Sequence, residues 1–225
     1  MNMAMKEYHK IDTIYTRAED GTKKMIEGLW RDPTVESIKD IDWVWTEKVN
    51  GTNIRVRWDG HKVTFGGRTN NAQIPADLVN FLNEKFGTPE AEELFEQKFG
   101  DTTAITLVGE GYGRKIQNVG SLYLKDSVSF IMFDAMVDCA GGGHPCWLRR
   151  DSVEDIATAF GVDVVPIVGV GTLEQAVDFV KTKPVSALSP DAPMEGVVAR
   201  PAYELLDRMG RRLIVKIKAH DFEEV

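Results

Sequence analysis

The stretch from Ile41 to Asp59 limits the possible folds more than any other part of the chain. Ile41 to Trp45, broken only by Asp42, has the aromatic and β-branched content of a strand. Asn50-Gly51 is a strong two-residue turn signal, because both residues tolerate positive φ at little cost. After the turn, Ile54, Val56 and Trp58 alternate with Arg55, Arg57 and Asp59, the period-2 pattern of a half-buried strand. The spacing predicts a hairpin with Lys48 where the first strand enters the turn, a rigid place for a reactive amine. Most lysines beside a turn are solvated surface charges. A functional Lys48 therefore needs support from the rest of the chain.

The remaining pattern mixes strands and helices without a βαβ rhythm, which argues for an α+β fold with mostly antiparallel sheets. Ile11 to Thr16 and Lys24 to Trp30 read as a hairpin around Glu19-Asp20-Gly21, and Thr34 to Asp40 as a helical turn or loop. Leu78, Val79, Leu82 and Phe86 form one helical stripe closed by Gly87. Leu94, Phe95 and Phe99 form another, with Thr88 as N-cap, Pro89 at the first position and Gly100 as the stop. Asp151 with Glu154 reads as a capping box, and Thr172 with Gln175 as the cap of a further helix. Ile105 to Val108, Val128 to Val137, Val162 to Val170, Gly196 to Arg200 and the run through Leu213, Val215 and Ile217 read as strands.

Composition narrows the function classes. The 225 residues fit one large domain, and 43% hydrophobic content suits a buried core. No apolar run reaches bilayer length and residues 1–10 lack a signal-peptide core, so a soluble, cytoplasmic protein is expected. The formal charge of −8 excludes a dedicated nucleic-acid coat but not a basic groove. Cations gather at Arg55, Arg57, Lys62 and Arg68, at Arg114 and Lys115, and at Arg208, Arg211, Arg212, Lys216 and Lys218. Cys139, His144 and Cys146 lack the fourth ligand of a structural zinc, so a Gly-rich loop is expected there.

Strand period places Lys216 and Lys218 on one face, opposite Leu213, Val215 and Ile217. Two adjacent cations repel, and an anion such as phosphate would relieve that cost; an edge strand protected by lysines is the equal alternative. Glu110 follows a strand in a glycine-flanked turn, and Glu195 opens another strand. Phe133 and Asp134 fall on opposite faces of one apolar strand, where a buried Asp134 must be paired.

In order, Glu47-Lys48-x-x-Gly51-Thr52-Asn53, Arg68-Thr69, Gly109-Glu110-x-Tyr112-Gly113, Phe130-x-x-Phe133-Asp134, Glu195-Gly196-Val197-Val198-x-Arg200 and Lys216-x-Lys218 resemble the motifs of covalent nucleotidyltransferases. The nearest resemblance within that superfamily is to phage-type, nick-sealing RNA ligases. It covers Thr46 to Phe222 and implies a nucleotidyltransferase (ATP-grasp-like) fold: antiparallel sheets flanked by helices, with the nucleotide site between them.

The resemblance also implies roles. Lys48 would attack the α-phosphate of ATP to give lysyl-AMP, and Lys216 and Lys218 would neutralise the phosphate. Glu47 would accept from the adenine edge and Phe133 would stack on the base. Glu110 would bind ribose hydroxyls, Arg55 or Arg68 would hold ribose or the 5′-phosphate end, and Asn53 belongs to the nucleotide-binding set. Glu195 would orient Mg²⁺ or Mn²⁺. The partners would be ATP and RNA with 3′-OH and 5′-phosphate ends.

Two departures stand out. Asn50 replaces the histidine or aspartate of relatives and is neither acid nor base near neutral pH. The chain ends at Val225, soon after Lys218, so a single adenylyltransferase domain over 1–225 is expected, without a C-terminal nucleic-acid domain. Such a module would grip RNA alone or with an accessory RNA-binding protein. The stand-alone architecture suggests a viral or bacterial origin, phage included. The alternatives are a GTP-using capping-type transferase, a DNA ligase, and a nucleotide- or RNA-end-binding protein without turnover.

Overall fold

The computed structural model describes residues 5–20, 22, 24–138 and 146–223. Gly21 of the expected N-terminal turn, and Cys139 and His144 of the Gly-rich segment, lie outside them. In chain order the elements are β1 (Asp12–Thr13), β2 (Tyr15–Arg17), β3 (Met25–Trp30), α1 (Pro33–Ser37), β4 (Trp43–Glu47), β5 (Thr52–Trp58) and β6 (Val63–Gly66). There follow α2 (Ala76–Phe86), α3 (Pro89–Phe99), β7 (Ile105–Gly113), α4 (Gly120–Tyr123), β8 (Val128–Val137), β9 (Cys146–Trp147) and α5 (Arg150–Phe160). The last elements are β10 (Asp163–Val164), β11 (Ile167–Gly171), α6 (Leu173–Lys181), β12 (Gly196–Pro201) and β13 (Val215–Lys218). The fold is α+β, and its sheets are antiparallel except where β1 pairs with β13 and β10 with β8. Among the described residues no helix is long and apolar enough to cross a membrane.

The chain packs as two compact units, one of residues 1–8 and 50–165, the other of 9–49 and 166–225. The first is built on the sheet β10-β8-β7-β5-β6, with β9 beside β8. Ile54, Val56 and Trp58 point from β5 into a core completed by α2, α3 and α5. Phe95 is fully buried there, stacked on Trp58 at 5.7 Å and against Phe160 at 4.3 Å. The second unit is built on the sheet β1-β13-β12-β4-β11. Trp43, Trp45, Val197, Ala199, Val215 and Ile217 line one side of it and pack against Leu173, Ala176, Val177 and Val180 of α6.

Several sequence expectations change. β4 and β5 do not form a hairpin: β4 pairs with β11 and β12, and β5 with β6 and β7. Asn50-Gly51 turns the chain from one unit into the other, and a Cβ on Gly51 would meet the Gly111 carbonyl at 2.2 Å. The run from Val162 to Val170 is likewise split into β10 and β11, which belong to different units, at Val165-Pro166. Pro166 lacks the N–H that would continue a ladder. Of the N-terminal hairpin only β2 and β3 pair with each other, while β1 joins β13. Thr88 and Thr172 cap their helices, the latter in a full capping box with Gln175. The Asp151–Glu154 box does not form, because α5 starts earlier and its N-cap is Arg149. Gly87 ends α2 at φ −100°, so that position does not need glycine's left-handed freedom.

The stacked ring cluster should dominate the stability of the first unit. Phe95→Ala is expected to cost about 3–5 kcal/mol in urea unfolding, through lost burial and a cavity that Trp58 and Phe160 cannot collapse into.

Candidate active site

The side of the five-stranded sheet away from α6 carries Thr46 on β4, Val198 on β12, and Lys216 and Lys218 on β13. The register sets Val198 against both Thr46 and Lys216, and Gly196 against Lys218. The predicted shared face of Lys216 and Lys218 is therefore present, with Val215 and Ile217 buried behind it. Lys48 follows the end of β4, and its N–H donates to the Gly196 carbonyl at 2.9 Å. Glycine is required at 196, where φ is +150° and a Cβ would meet the Ile217 carbonyl at 2.0 Å. This close approach of backbones brings Glu195 to both lysines.

The Glu195 carboxylate lies between them. Lys48 Nζ donates to Oε2 at 2.6 Å, and Lys218 Nζ is 2.7 Å from Oε1. The side chains are only 13% (Glu195) and 23% (each lysine) exposed. Burial alone would raise the Glu195 carboxyl, but Lys48 and Lys218 outweigh it and hold the group below its ordinary value of 4.5.

Glu47 is placed differently from the expectation. It continues the Trp43–Trp45 parity of β4, is 1% exposed, and sits opposite Val197 on the α6 side of the sheet. Oε1 accepts from the Ser186 hydroxyl at 2.5 Å and Oε2 from the Ala187 N–H at 2.8 Å. Burial pushes its carboxyl up, against the pull of those two bonds. Glu47 thus anchors the loop leading to Glu195 instead of presenting a free carboxylate to a base. Period 2 counted from Trp43 and Trp45 would have found this face; nothing in the sequence singles out Ser186.

In the first unit, Asn53 on β5 stands directly opposite Glu110 on β7, on the side of the sheet away from Ile54 and the core. Phe133 falls at a bulge, since Val108 pairs with Asp134 but Gly109 with Met132. The extra residue breaks the expected opposite-face arrangement of Phe133 and Asp134. Tyr8 reaches both, its ring 5.4 Å from Phe133 and its hydroxyl donating to the buried Asp134 at 2.9 Å. Asp134 is paired, as a buried carboxylate must be; Tyr8 as its partner has no sequence signal.

Arg55 also departs from expectation. It is fully buried, and its Nε–H donates to the Gly67 carbonyl at 2.7 Å. Nη1 donates to the Met5 and Lys6 carbonyls at 3.2 and 2.7 Å, and Nη2 to Asn70 Oδ1 at 3.2 Å. The guanidinium fastens residues 67–70 to the N-terminal segment through four of its five N–H donors. Arg68, the other candidate, is exposed.

The Glu195 bridge has a pH signature. A carboxyl held low in the folded state stabilises it above the ordinary value of 4.5, and this contribution disappears as pH falls through the lowered value. The melting temperature of the native protein should therefore drop more steeply below about pH 4.5 than that of Glu195→Gln, and parallel curves would exclude the bridge.

Residues 41–218 match the family model described as RNA ligase. Solved structures of Naegleria gruberi RNA ligase share the fold. A mutant with ATP and Mn is 20% identical at TM-score 0.59, with 84% of this chain and 53% of that chain covered. The same ligase with PPi is 19% identical at TM-score 0.60, covering 97% and 63%. An apo mutant is 18% identical at TM-score 0.61, covering 93% and 56%. The chain thus spans a little over half the length of these relatives, and no curated protein matches it. With four fifths of the chain inside the family model, the chain belongs to the RNA ligase family.

Proposed function

We propose that the chain is the adenylyltransferase module of an ATP-dependent RNA ligase that joins 3′-OH and 5′-phosphate ends. The observation carrying this reading is the Glu195 carboxylate bridging Lys48 and Lys218, with Lys216 on the same sheet face. An amine, two further cations and one carboxylate suit attack on a phosphate. Lys48 Nζ forms a bond to the α-phosphorus, the bond to the β-phosphate oxygen breaks, and pyrophosphate leaves. The Lys48–Glu195 contact must loosen first, because the amine attacks with a lone pair and passes its proton to solvent. Lys216 and Lys218 then oppose the charge that grows on the phosphate oxygens. AMP passes next to an RNA 5′-phosphate, and attack by a 3′-OH closes the phosphodiester and frees AMP.

Mg²⁺ or Mn²⁺ fits the donor set in one form only. Among the described residues no group of three or more His, Cys, Asp or Glu side chains could cage an ion. Glu195 alone suits an ion that keeps most of its water, as Mg²⁺ commonly does. Such an ion would supply charge neutralisation at the α-phosphate. For Asn53, Glu110 and Phe133 we keep the nucleoside contacts that the family resemblance implies, supported by the shared sheet face of Asn53 and Glu110. An accessory RNA-binding partner remains part of the reading.

Intact-mass measurement after incubation with ATP and Mg²⁺ should show one AMP per chain, and Lys48→Ala should show none while still unfolding cooperatively, at a lowered melting temperature because Glu195 loses a partner. Lys218→Ala should slow labelling about 100-fold, the usual effect of removing one preorganised charge from a developing anion. Labelling by GTP alone would replace this reading with a capping-type transferase, and preferential sealing of DNA nicks with a DNA ligase.

A further inference from the structure

Between Arg208 and His220 the sequence places five cations and no acid, within a chain of formal charge −8. Lys216 and Lys218 belong to the site above. The three arginines lie on the hairpin that joins β12 to β13. That hairpin is braced from within: Leu213 N–H donates to the Leu205 carbonyl at 3.0 Å and Asp207 N–H to the Arg211 carbonyl at 2.8 Å. Its two acids are consumed by the same bracing. Glu204 pairs with Arg212, and Asp207 accepts from the N–H groups of Met209 (2.7 Å) and Arg211 (2.9 Å) and from Arg211 Nε (2.6 Å). What the hairpin leaves exposed is Arg208, with no partner among the described residues, and Met209 (73%) at its turn, Leu206 (56%) on its first arm and Tyr203 (84%) near its base.

We infer that this hairpin is a docking surface for single-stranded RNA, with Tyr203 stacking on a base and Arg208 holding a phosphate. An exposed aromatic ring and an uncompensated cation on one hairpin are the combination that binds single strands without reading their sequence. Four side chains on one hairpin offer less than the about 800 Å² per partner that a stable protein interface buries. Placement adds a length requirement. β12 runs from Gly196 beside Lys218 to Pro201 at the base of the hairpin, five steps of about 3.4 Å, or about 17 Å. An RNA strand touching both ends must extend about five stacked nucleotides. The inference rests on the proposed ligase reading for the identity of the strand, and the experiment keeps the two apart.

Tyr203→Ala and Arg208→Ala change exposed side chains and should leave ATP-dependent AMP labelling without RNA at the wild-type rate. Affinity for a single-stranded 5′-phosphorylated oligoribonucleotide of about twelve residues should fall about tenfold in Tyr203→Ala, the lower range for loss of one stacked base. In Arg208→Ala the slope of log affinity against log salt should shrink by about 0.7, one phosphate contact on a single strand. Wild-type affinity and salt slope in both variants would overturn the docking surface, as would a dimer in wild type that both variants abolish. Absence of AMP labelling in the wild type would instead overturn the ligase reading and leave the hairpin result standing.

Discussion

A carboxylate held between two ammonium groups organises the second unit. At an effective dielectric of about 20, each contact near 2.6–2.7 Å is worth roughly 6 kcal/mol in gross attraction, while the two ammonium groups, held apart by the carboxylate between them, repel less. The attractions dominate, which is why two lysines tolerate one half-buried corner and why the Glu195 carboxyl stays ionised despite its burial. Remove the carboxylate and the lysines are left facing each other. Supply a phosphate and the same lysines have a better-placed anion. In the proposed reaction, Glu195 holds at rest the place that substrate oxygens would take.

The backbone makes this corner possible. Gly196 lets β12 and β13 approach until a side chain would collide with the Ile217 carbonyl, and Lys48 N–H is tied to the Gly196 carbonyl. Behind the sheet, Glu47 fixes the loop at Ser186 and Ala187, eight to nine residues before Glu195. Adjacent residues therefore reach different partners: Lys48 the Glu195 carboxylate, Glu47 the loop at Ser186. Arg55 performs a comparable scaffold task in the first unit by gathering backbone carbonyls around a buried guanidinium. Charge that looks catalytic in a motif can be structural once its partners are known.

The motif series picked out side chains that the fold brings together, although they lie far apart in the sequence. Lys48, Glu195 and Lys218 meet, and Lys216 shares their face. Helix stripes and two of the three Thr or Asp caps were equally legible, since amphipathic period and N-cap hydrogen bonds are local effects. The partners of Glu47 and Arg55 were not legible, because motif position says nothing about which face of a sheet is buried or which carbonyls are nearby.

The sequence by itself determined the α+β class, the strand and helix periods, and the shared face of Lys216 and Lys218, all of which follow from residue type and short-range spacing. Only the tertiary structure decided that β4 and β5 part into different sheets at Asn50-Gly51, that Val162 to Val170 is divided at Pro166, and that a bulge moves Phe133 out of simple alternation. Strand pairing is a contest among distant partners, and a turn signal fixes where the chain bends without fixing what it pairs with afterwards. For the same reason the Tyr8–Asp134 and Glu47–Ser186 contacts, separated by 126 and 139 residues, exist only in three dimensions.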